Sequence, residues 1–600
     1  MSSRKVIYSD RKEKHSDQFN KLKKQAESVS WLRLGVFVAG AGLGWLLLSI
    51  HYLTGGITII AAIGLFLWLI KKHATLEKDA QYHERLSKVN EAELQLAEGE
   101  TGPYDNGSSF MDQSHSYVYD LDILGPRSVF AFINRTASQP GRNRLVSWLK
   151  HGLHEVEAIK ARQAVVADLS PKLEFRQAFQ AIGSFSQQEQ EDLSSLLSWL
   201  NESDDVHGKA APGFLRWLLP VLFLAVFIAS FIIPLSWYWI VGAFVINILV
   251  VRQFQKRTQA LHAAIEKRSK ILLRYASLLK LIEKEAFQAS LLQQIQTTLG
   301  KDNVLASEQI EELGTIAGNF DQRMNVFAVL LFNGLWGWDL HLSNRLSVWK
   351  ASVQDQVPAW LDALAEMDAY ISLATFDYNH PEFTMPVPRT EPGLEGIDMG
   401  HILIDPKERV NNDLKLDRLG QYGLVTGANM AGKSTFLRTV GVNLVLAQAG
   451  APVCAKSFAW KPAMMYTSMR ATDSVQDRAS YFYAELVRLK GIADMLKEGT
   501  ESYILLDEIL RGTNSNDKAE GSRGFIEQLI QWPGIGLVAT HDLSLASLEE
   551  AYPDNIRNLR FEIYIEEGKL YCNYKLEAGV SQNLNATFLM KQMGIVKSDS

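Results

Sequence analysis

The sequence predicts an α/β P-loop domain at the C-terminal end, an all-α region ahead of it, and two apolar helical hairpins of membrane-spanning length. Three observations predict this: two apolar runs free of Lys, Arg, Asp and Glu, helical periodicity between and after them, and, from His401 onward, short β-like runs alternating with helical patterns. The chain has 600 residues, enough for several folding units at roughly 100–200 residues each. Its charged fraction of 21% is below the roughly 25% of ordinary soluble chains. The missing charge is concentrated in the two runs.

Residues 1–30 form a basic tail with Arg4, Lys5, Arg11, Lys12, Lys14, Lys21, Lys23 and Lys24. Between Arg33 and Lys71 the one residue that could carry charge is His51, and the stretch from Trp217 to Val251, between Arg216 and Arg252, has none. As single helices these runs would measure roughly 50 Å or more, against a hydrocarbon core of about 30 Å, so each is read as a transmembrane hairpin, over 31–72 and 214–251. Thr54-Gly55-Gly56 is expected to break the first hairpin and Pro234 the second, where Trp237, Tyr238 and Trp239 read as interfacial aromatics. Lys71 and Lys72 follow the first run, Arg252, Lys256 and Arg257 follow the second, and neither tip contains Lys or Arg. The positive-inside rule then puts every flank in the cytoplasm and gives an integral membrane protein of four spans, in the inner or plasma membrane of a bacterium.

Residues 73–116 read as a linker, with a Gly/Pro/Asp/Asn stretch at Thr101–Gly107. The 117–213 part is expected to be helical, from the periodicity of Leu145, Val146, Trp148, Leu149, Val156, Ile159, Ala164 and Val165, with Ala158–Leu200 helical as well. In the 252–395 part, Arg252–Leu299 reads as one long helix, and Val357–Phe376 as another with Leu361, Leu364, Met367 and Ile371 on one face. Asn325–Leu340 is a third apolar stretch, too short to span and ending near Asp339, and is expected to be a buried core helix. The 396–600 part holds the strands Tyr422–Thr426, Tyr503–Leu506 and Gly536–Ala539. Cys454 and Cys572 build no disulfide framework, and no zinc-ligand spacing is present, which favours a reducing compartment. A net charge of −6 provides no global basic footprint, so any nucleic-acid contact rests on a local patch.

Gly427-Ala428-Asn429-Met430-Ala431-Gly432-Lys433-Ser434 matches the full P-loop pattern, between an apolar strand and the helical run Thr435–Leu446. Its backbone N–H groups would cradle the phosphates of ATP, Lys433 would reach the β and γ oxygens, and Ser434 would offer a hydroxyl to Mg²⁺. Seventy residues on, Tyr503-Ile504-Leu505-Leu506-Asp507-Glu508 is an apolar strand ending in two carboxylates. Adjacent strand residues point oppositely, so Asp507 can orient the Mg²⁺ shell while Glu508 polarises the attacking water. His541, after the strand Leu537–Ala539, is placed to hydrogen-bond the γ-phosphate or the lytic water.

These segments, Thr426–Thr435, Leu506-Asp507-Glu508-Ile509-Leu510-Arg511-Gly512-Thr513 and Ala539-Thr540-His541, resemble the ATPase domain of the MutS family. Asn429-Met430 in the P-loop and Arg511-Gly512-Thr513 after the carboxylates separate that family from other ABC-type ATPases. Gly141–Leu149 with Arg162–Val165 looks like the start of its core and lever helices, and Ala363–Phe383 like the returning lever. The resemblance covers about 117–596. It implies a Mg-dependent ATPase working as a homodimer, with each ATP held between the P-loop of one subunit and the signature segment of the other. It puts Ser480 in that segment as a γ-phosphate contact in trans. Arg478 stands where the family has glycine, Asp473 falls in the same segment, Asn412-Asp413-Leu414 looks like the nucleotide-base loop, and Asp517 falls in the loop facing the partner.

The departures are informative. The roughly thirty residues before the first hairpin carry no Phe-x-Glu wedge, so mismatch reading is unsupported. The second hairpin lies between the outgoing and returning lever helices, where the family carries its DNA clamp. Two expectations follow: a membrane-held ATPase of the DNA-binding, repair or recombination type, whose basic tail touches duplex or branched DNA, or a membrane mechanoenzyme or scaffold without a DNA role.

Overall fold

The first 97 residues contain no proline and fold as two long helices, α1 (Ser2–Ile50) and α2 (Tyr52–Ala97). The computed structural model describes residues 2–100, 102–183, 197–200, 210–300, 304–321, 323, 325–470, 481–510, 514–566 and 569–582. The two helices turn at His51, whose backbone is extended (φ −153°, ψ 122°), so Thr54-Gly55-Gly56 fall in the first turn of α2 and make no break. Their glycines serve packing instead: a Cβ on Gly55 would lie 2.5 Å from the Leu48 nitrogen, and one on Gly44 would lie 2.5 Å from Ile59. Close backbone approach of this kind is what holds apolar helices together where burial from water contributes nothing.

The basic tail is not a free arm. It is the charged half of α1, paired with the charged half of α2 and docked on the helical core: Tyr8 donates to Asn379 Oδ1 at 2.7 Å, Arg11 Nε to Gln177 Oε1 at 2.8 Å, and Lys12 pairs with Glu91 at 2.9 Å. The stretch read as a linker is likewise helical as far as Ala97, and irregular beyond it. From Tyr8 to Arg33 a continuous helix rises about 37 Å, so α1 and α2 form a stalk between the core and the apolar hairpin.

The core comprises α3 (Val129–Ile133), α4 (Gln139–Lys150), α5 (Val156–Leu169), α6 (Leu173–Gly183), α9 (Gln255–Lys284), α10 (Ser290–Leu299), α11 (Ala306–Asp321), α13 (Trp338–Val353) and α14 (Val357–Asn379). Between them lie the apolar helices α7 (Ala210–Ile232), α8 (Tyr238–Gln253) and α12 (Val326–Trp336). The expected Ala158–Leu200 helix breaks at Ser170 into α5 and α6. The expected Arg252–Leu299 helix breaks at Glu285–Ala289, where Asp168 accepts from the Gln288 and Ala289 N–H groups and caps α10 from outside. Asp368 of α14 accepts from the Ala137 and Ser138 N–H groups and the Ser138 hydroxyl, fixing the start of α4.

Among the described residues, three helices are long and apolar enough to cross a membrane by length and composition: Arg4–Ile50, Tyr52–Ala97 and Gly213–Ile232; Tyr238–Gln253 and Val326–Trp336 are shorter. Pro234 lies in the turn between α7 and α8, as expected. The third apolar stretch departs from expectation. It packs on α7 and α8 rather than in the core, and leaves Val326, Phe327, Leu330, Leu331 and Trp336 exposed, Phe327 by 83%.

The C-terminal part holds two sheets. One, of β1 (Val387–Pro388), β2 (Leu394–Met399), β3 (Asn412–Leu416) and β5 (Ser457–Trp460), has the order β1-β5-β2-β3. The other contains β4 (Tyr422–Gly427), β6 (Met464–Ser468), β7 (Ser502–Asp507), β8 (Gly534–Thr540), β9 (Ile556–Glu566) and β10 (Lys569–Ala578). Its order is β10-β9-β4-β8-β7-β6, parallel except for β10. The strands β4, β7 and β8 are buried along their whole length, which explains their unbroken apolar runs. One apolar core runs from the helical region through α15 (Lys433–Gln448) to this sheet, joining Leu149, Leu364, Leu437 and Leu505. A second core lies beneath α16 (Tyr481–Lys497) and α17 (Ser515–Leu529), through Leu489 and Leu529.

Candidate functional site at the strand ends

Strand order brings the motifs together. β8 lies between β4, which leads into the P-loop, and β7, which ends in Asp507. The C-terminal ends of these three parallel strands therefore present Gly427–Ser434, Asp507-Glu508 and His541 on one edge of the sheet, the usual ligand edge of such folds. The P-loop needs its glycines for two separate reasons. Gly427 has φ 150°, and a Cβ there would lie 2.6 Å from the Phe561 carbonyl oxygen; Gly432 has φ 105° at the N-cap of α15. Ala428 and Ala431 pack partly or fully into the domain, while Asn429 and Met430 project outward, Met430 at φ 68°.

Lys433 is buried, and its ammonium donates to the Gly427 carbonyl at 2.7 Å and the Ala428 carbonyl at 3.1 Å. The same nitrogen lies 3.3 Å from His541 Nε2, which is itself 2.7 Å from Glu508 Oε1. His541 Nε2 thus sits between the P-loop lysine and the carboxylate expected to polarise water; carrying a proton it donates to Glu508, and without one it accepts from Lys433. Glu508 takes a left-handed backbone (φ 52°) as the chain leaves β7, with its N–H bonded to the Ala539 carbonyl at 2.9 Å. That conformation is rare outside glycine, and the side chain it carries reaches His541.

The cleft in front of these groups has a volume of about 590 Å³, large enough for a nucleotide. Asn429, Met430, Lys433, Ser434, Thr435 and Glu508 line it, with Ser434 and Thr435 exposed at the start of α15, where the helix dipole favours phosphate. Asn412 also lines it, but its amide is engaged elsewhere: Nδ2 donates to the Tyr574 carbonyl at 3.0 Å and Oδ1 accepts from the Leu576 N–H at 2.8 Å. Among the described residues no group of three or more His, Cys, Asp or Glu side chains could hold a metal. A hydroxyl from Ser434 and a carboxylate from Asp507 suit Mg²⁺, which takes few protein ligands and completes its shell with water and phosphate.

Lining residues that escaped the sequence reading include Met399, His401, Arg409 and Tyr574. Tyr574 comes from the β9–β10 hairpin and its ring would lie 3.2 Å from a Cβ on Gly432. No local pattern signals such a contact. Burial pushes the His401 imidazole down to about 4, with Arg438 adding to the effect.

Ser480, Arg478, Asp473 and Arg511-Gly512-Thr513 lie outside the described residues. The described chain on either side of Ser480 is anchored at one residue: fully buried Asp120 accepts from the Thr467 hydroxyl at 2.6 Å, the Met469 and Arg470 N–H groups at 3.2 and 3.0 Å, and Arg488 at 2.7 Å. Asp122 adds a bidentate pair with Arg470 at 2.7 and 2.6 Å. Asp517, in the first turn of α17, donates its N–H to the Asn514 cap.

Residues 423–593 match the family model for MutS domain V. The DNA mismatch repair protein MutS of Thermotoga neapolitana is 31% identical over 228 residues, 37% of this chain and 27% of that protein. DNA mismatch repair protein MutS 2 of Halobacterium salinarum is 34% identical over 239 residues, 38% and 27% of the two chains. The human MutS protein homolog 4 is 29% identical over 240 residues, 37% and 24%. The chain thus spans about a quarter of the length of these curated relatives.

Proposed function

Because the chain belongs to the MutS family through its domain V, we propose that it is a membrane-anchored, Mg-dependent MutS-type ATPase that works as a homodimer. The observation that carries this is the Lys433–His541–Glu508 arrangement at the strand ends, with Ser434 lining the same cleft and Asp507 buried at the end of β7. On ATP binding Lys433 exchanges the Gly427 and Ala428 carbonyls for β and γ oxygens. Glu508, oriented by His541, polarises water for in-line attack, and the loop amides and Lys433 stabilise the charge that develops. Bound Mg²⁺ would neutralise phosphate charge, held by Ser434 and Asp507. Ser480 would complete the partner's site. The two apolar hairpins are read as four spans with every flank cytoplasmic; α8, at about 24 Å, is the shortest span.

The family relation supports a repair-type, DNA-binding role. A specific observation favours the second reading, a membrane mechanoenzyme or scaffold: Tyr8, Arg11 and Lys12 are engaged with the core or with α2, so that part of the basic tail is not presented to DNA. Titration of duplex and branched DNA against the detergent-solubilised dimer at rising salt separates the two. Affinity falling steeply with salt supports the DNA role; no binding at low salt leaves the mechanoenzyme. The composite site has its own test. Mixing a Ser480→Ala protein with a Lys433→Ala protein should restore part of the lost hydrolysis, since one site per heterodimer is then intact; no recovery overturns the trans arrangement.

A further inference from the structure

The helix α12 was expected in the core and is instead an apolar helix on the outside of the second hairpin. We infer that α12 is a re-entrant membrane helix, seated in the acyl-chain region of a single leaflet beside α7 and α8. The inference rests on the hairpin reading and deepens it, by adding a fifth membrane element that enters and leaves on the same side.

Length comes first. Eleven residues rise about 16 Å, half of the roughly 30 Å hydrocarbon core. Both ends return to one charged level: Arg323, before the helix, pairs with Asp339, after it, at 2.9 Å, and both side chains are nearly buried. A helix whose two flanks meet in one ion pair does not cross the bilayer.

The second support is how the backbone of α12 is satisfied, which matters where no water can do it. At the N-terminus the Asn325 side chain accepts from the Phe327 and Ala328 N–H groups at 3.0 and 3.2 Å. At the C-terminus the Gly334 carbonyl is one of the last four, without an intrahelical partner. It accepts at 2.9 Å from Nδ2 of Asn247, a fully buried residue of α8. A Cβ on Gly334 would lie 2.1 Å from the Phe244 ring, so glycine is needed for the two helices to come this close. The third support is continuity: Phe327, Leu330 and Leu331 extend the exposed apolar face of α7 and α8, whose residues Leu219 and Val251 share a cluster with Leu340 just beyond α12.

The test needs no variant. The full-length protein is reconstituted into phosphatidylcholine/phosphatidylglycerol vesicles containing a phosphatidylcholine with a diazirine midway along one acyl chain. After irradiation and trypsin cleavage at the arginines, fragmentation locates lipid adducts in the peptides 217–252 and 324–345. Adducts on both, those of the second within 326–336, are expected. Adducts on 217–252 with none on 326–336 overturn the inference and leave the hairpin standing; this is also the outcome if a second copy of the chain covers α12. Adducts on neither peptide overturn the hairpin reading and this inference together.

Discussion

The two apolar hairpins are built from similar residues and held in different ways. In the first, α1 lies on α2 through glycines at Gly40, Gly44 and Gly55, and the bonds that tie the pair to the core come from its charged end, roughly 44–54 Å along α1 from Gly40 and Gly44, at Tyr8 and Arg11. In the second, Asn247 of α8 bonds the backbone of α12, and α12 runs through Gly337 into α13 of the core. One hairpin stands at the end of a stalk; the other is spliced into the helices that lead to the P-loop domain. Similar hydrophobicity therefore says little about mechanical role, which depends on where polar groups join an apolar element to its neighbours.

If only the second hairpin couples to hydrolysis, the reference point is the cleft itself. Lys433→Ala should lose nucleotide binding, whereas Glu508→Gln should retain it and lose about 10²–10⁴-fold in hydrolysis, read as nucleotide binding beside phosphate release. Equal loss of binding in both variants would contradict the assigned roles.

A pH titration examines the ATPase end without touching either hairpin. His401 stays neutral in the folded protein down to about 4, while in the unfolded chain it takes up a proton near pH 6.5. The unfolded state then binds more protons between these values, so stability rises with pH through that window and is lost as pH falls from about 6.5 to about 4, by up to about 3 kcal/mol. His401→Gln should flatten this dependence in denaturant titrations, and an unchanged slope would remove His401 as its source.

The comparison is broken or sharpened most directly by a matched pair of substitutions. Asn247→Leu removes the donor to Gly334 and should cost about 0.6–2 kcal/mol in a membrane setting, with a change in ATPase rate. Gly55→Leu forces apart α1 and α2 at a cost of about 1–3 kcal/mol and should leave the rate unaltered. Equal effects on hydrolysis would erase the distinction between stalk-borne and coupled hairpin.

The smallest effect belongs to the stalk. Tyr8→Phe removes one hydrogen bond, worth about 0.5–1.5 kcal/mol, and should raise amide exchange in residues 2–30 while sparing the ATPase domain. Unchanged exchange would mean that the bond to Asn379 does not hold the stalk.

Much of this was legible because it is written locally. The P-loop and the carboxylates at Asp507-Glu508 each occupy a few consecutive residues, the apolar runs are continuous, and strand burial or long apolar helices impose a pattern on them. The errors share a cause. Thr54-Gly55-Gly56 look like a turn in isolation, yet a glycine is equally suited to close helix packing, and only Leu48 on the facing helix selects between these uses. The basic residues of 1–30 look like a tail open to DNA until Glu174 and Gln177 are brought against Arg11.

Residue order thus accounts for the P-loop edge of the sheet and for the existence of two hairpins, since both depend on short-range periodicity and on residue types with a single chemical use. Folding settled the rest: the 2.7 Å contact of His541 with Glu508, Tyr574 over the P-loop, and Asn247 on the open carbonyl of α12. Those partners lie 33, 142 and 87 residues apart, and a hydrogen bond or ring contact between such positions leaves no period in the chain, because its geometry is set by which elements pack together.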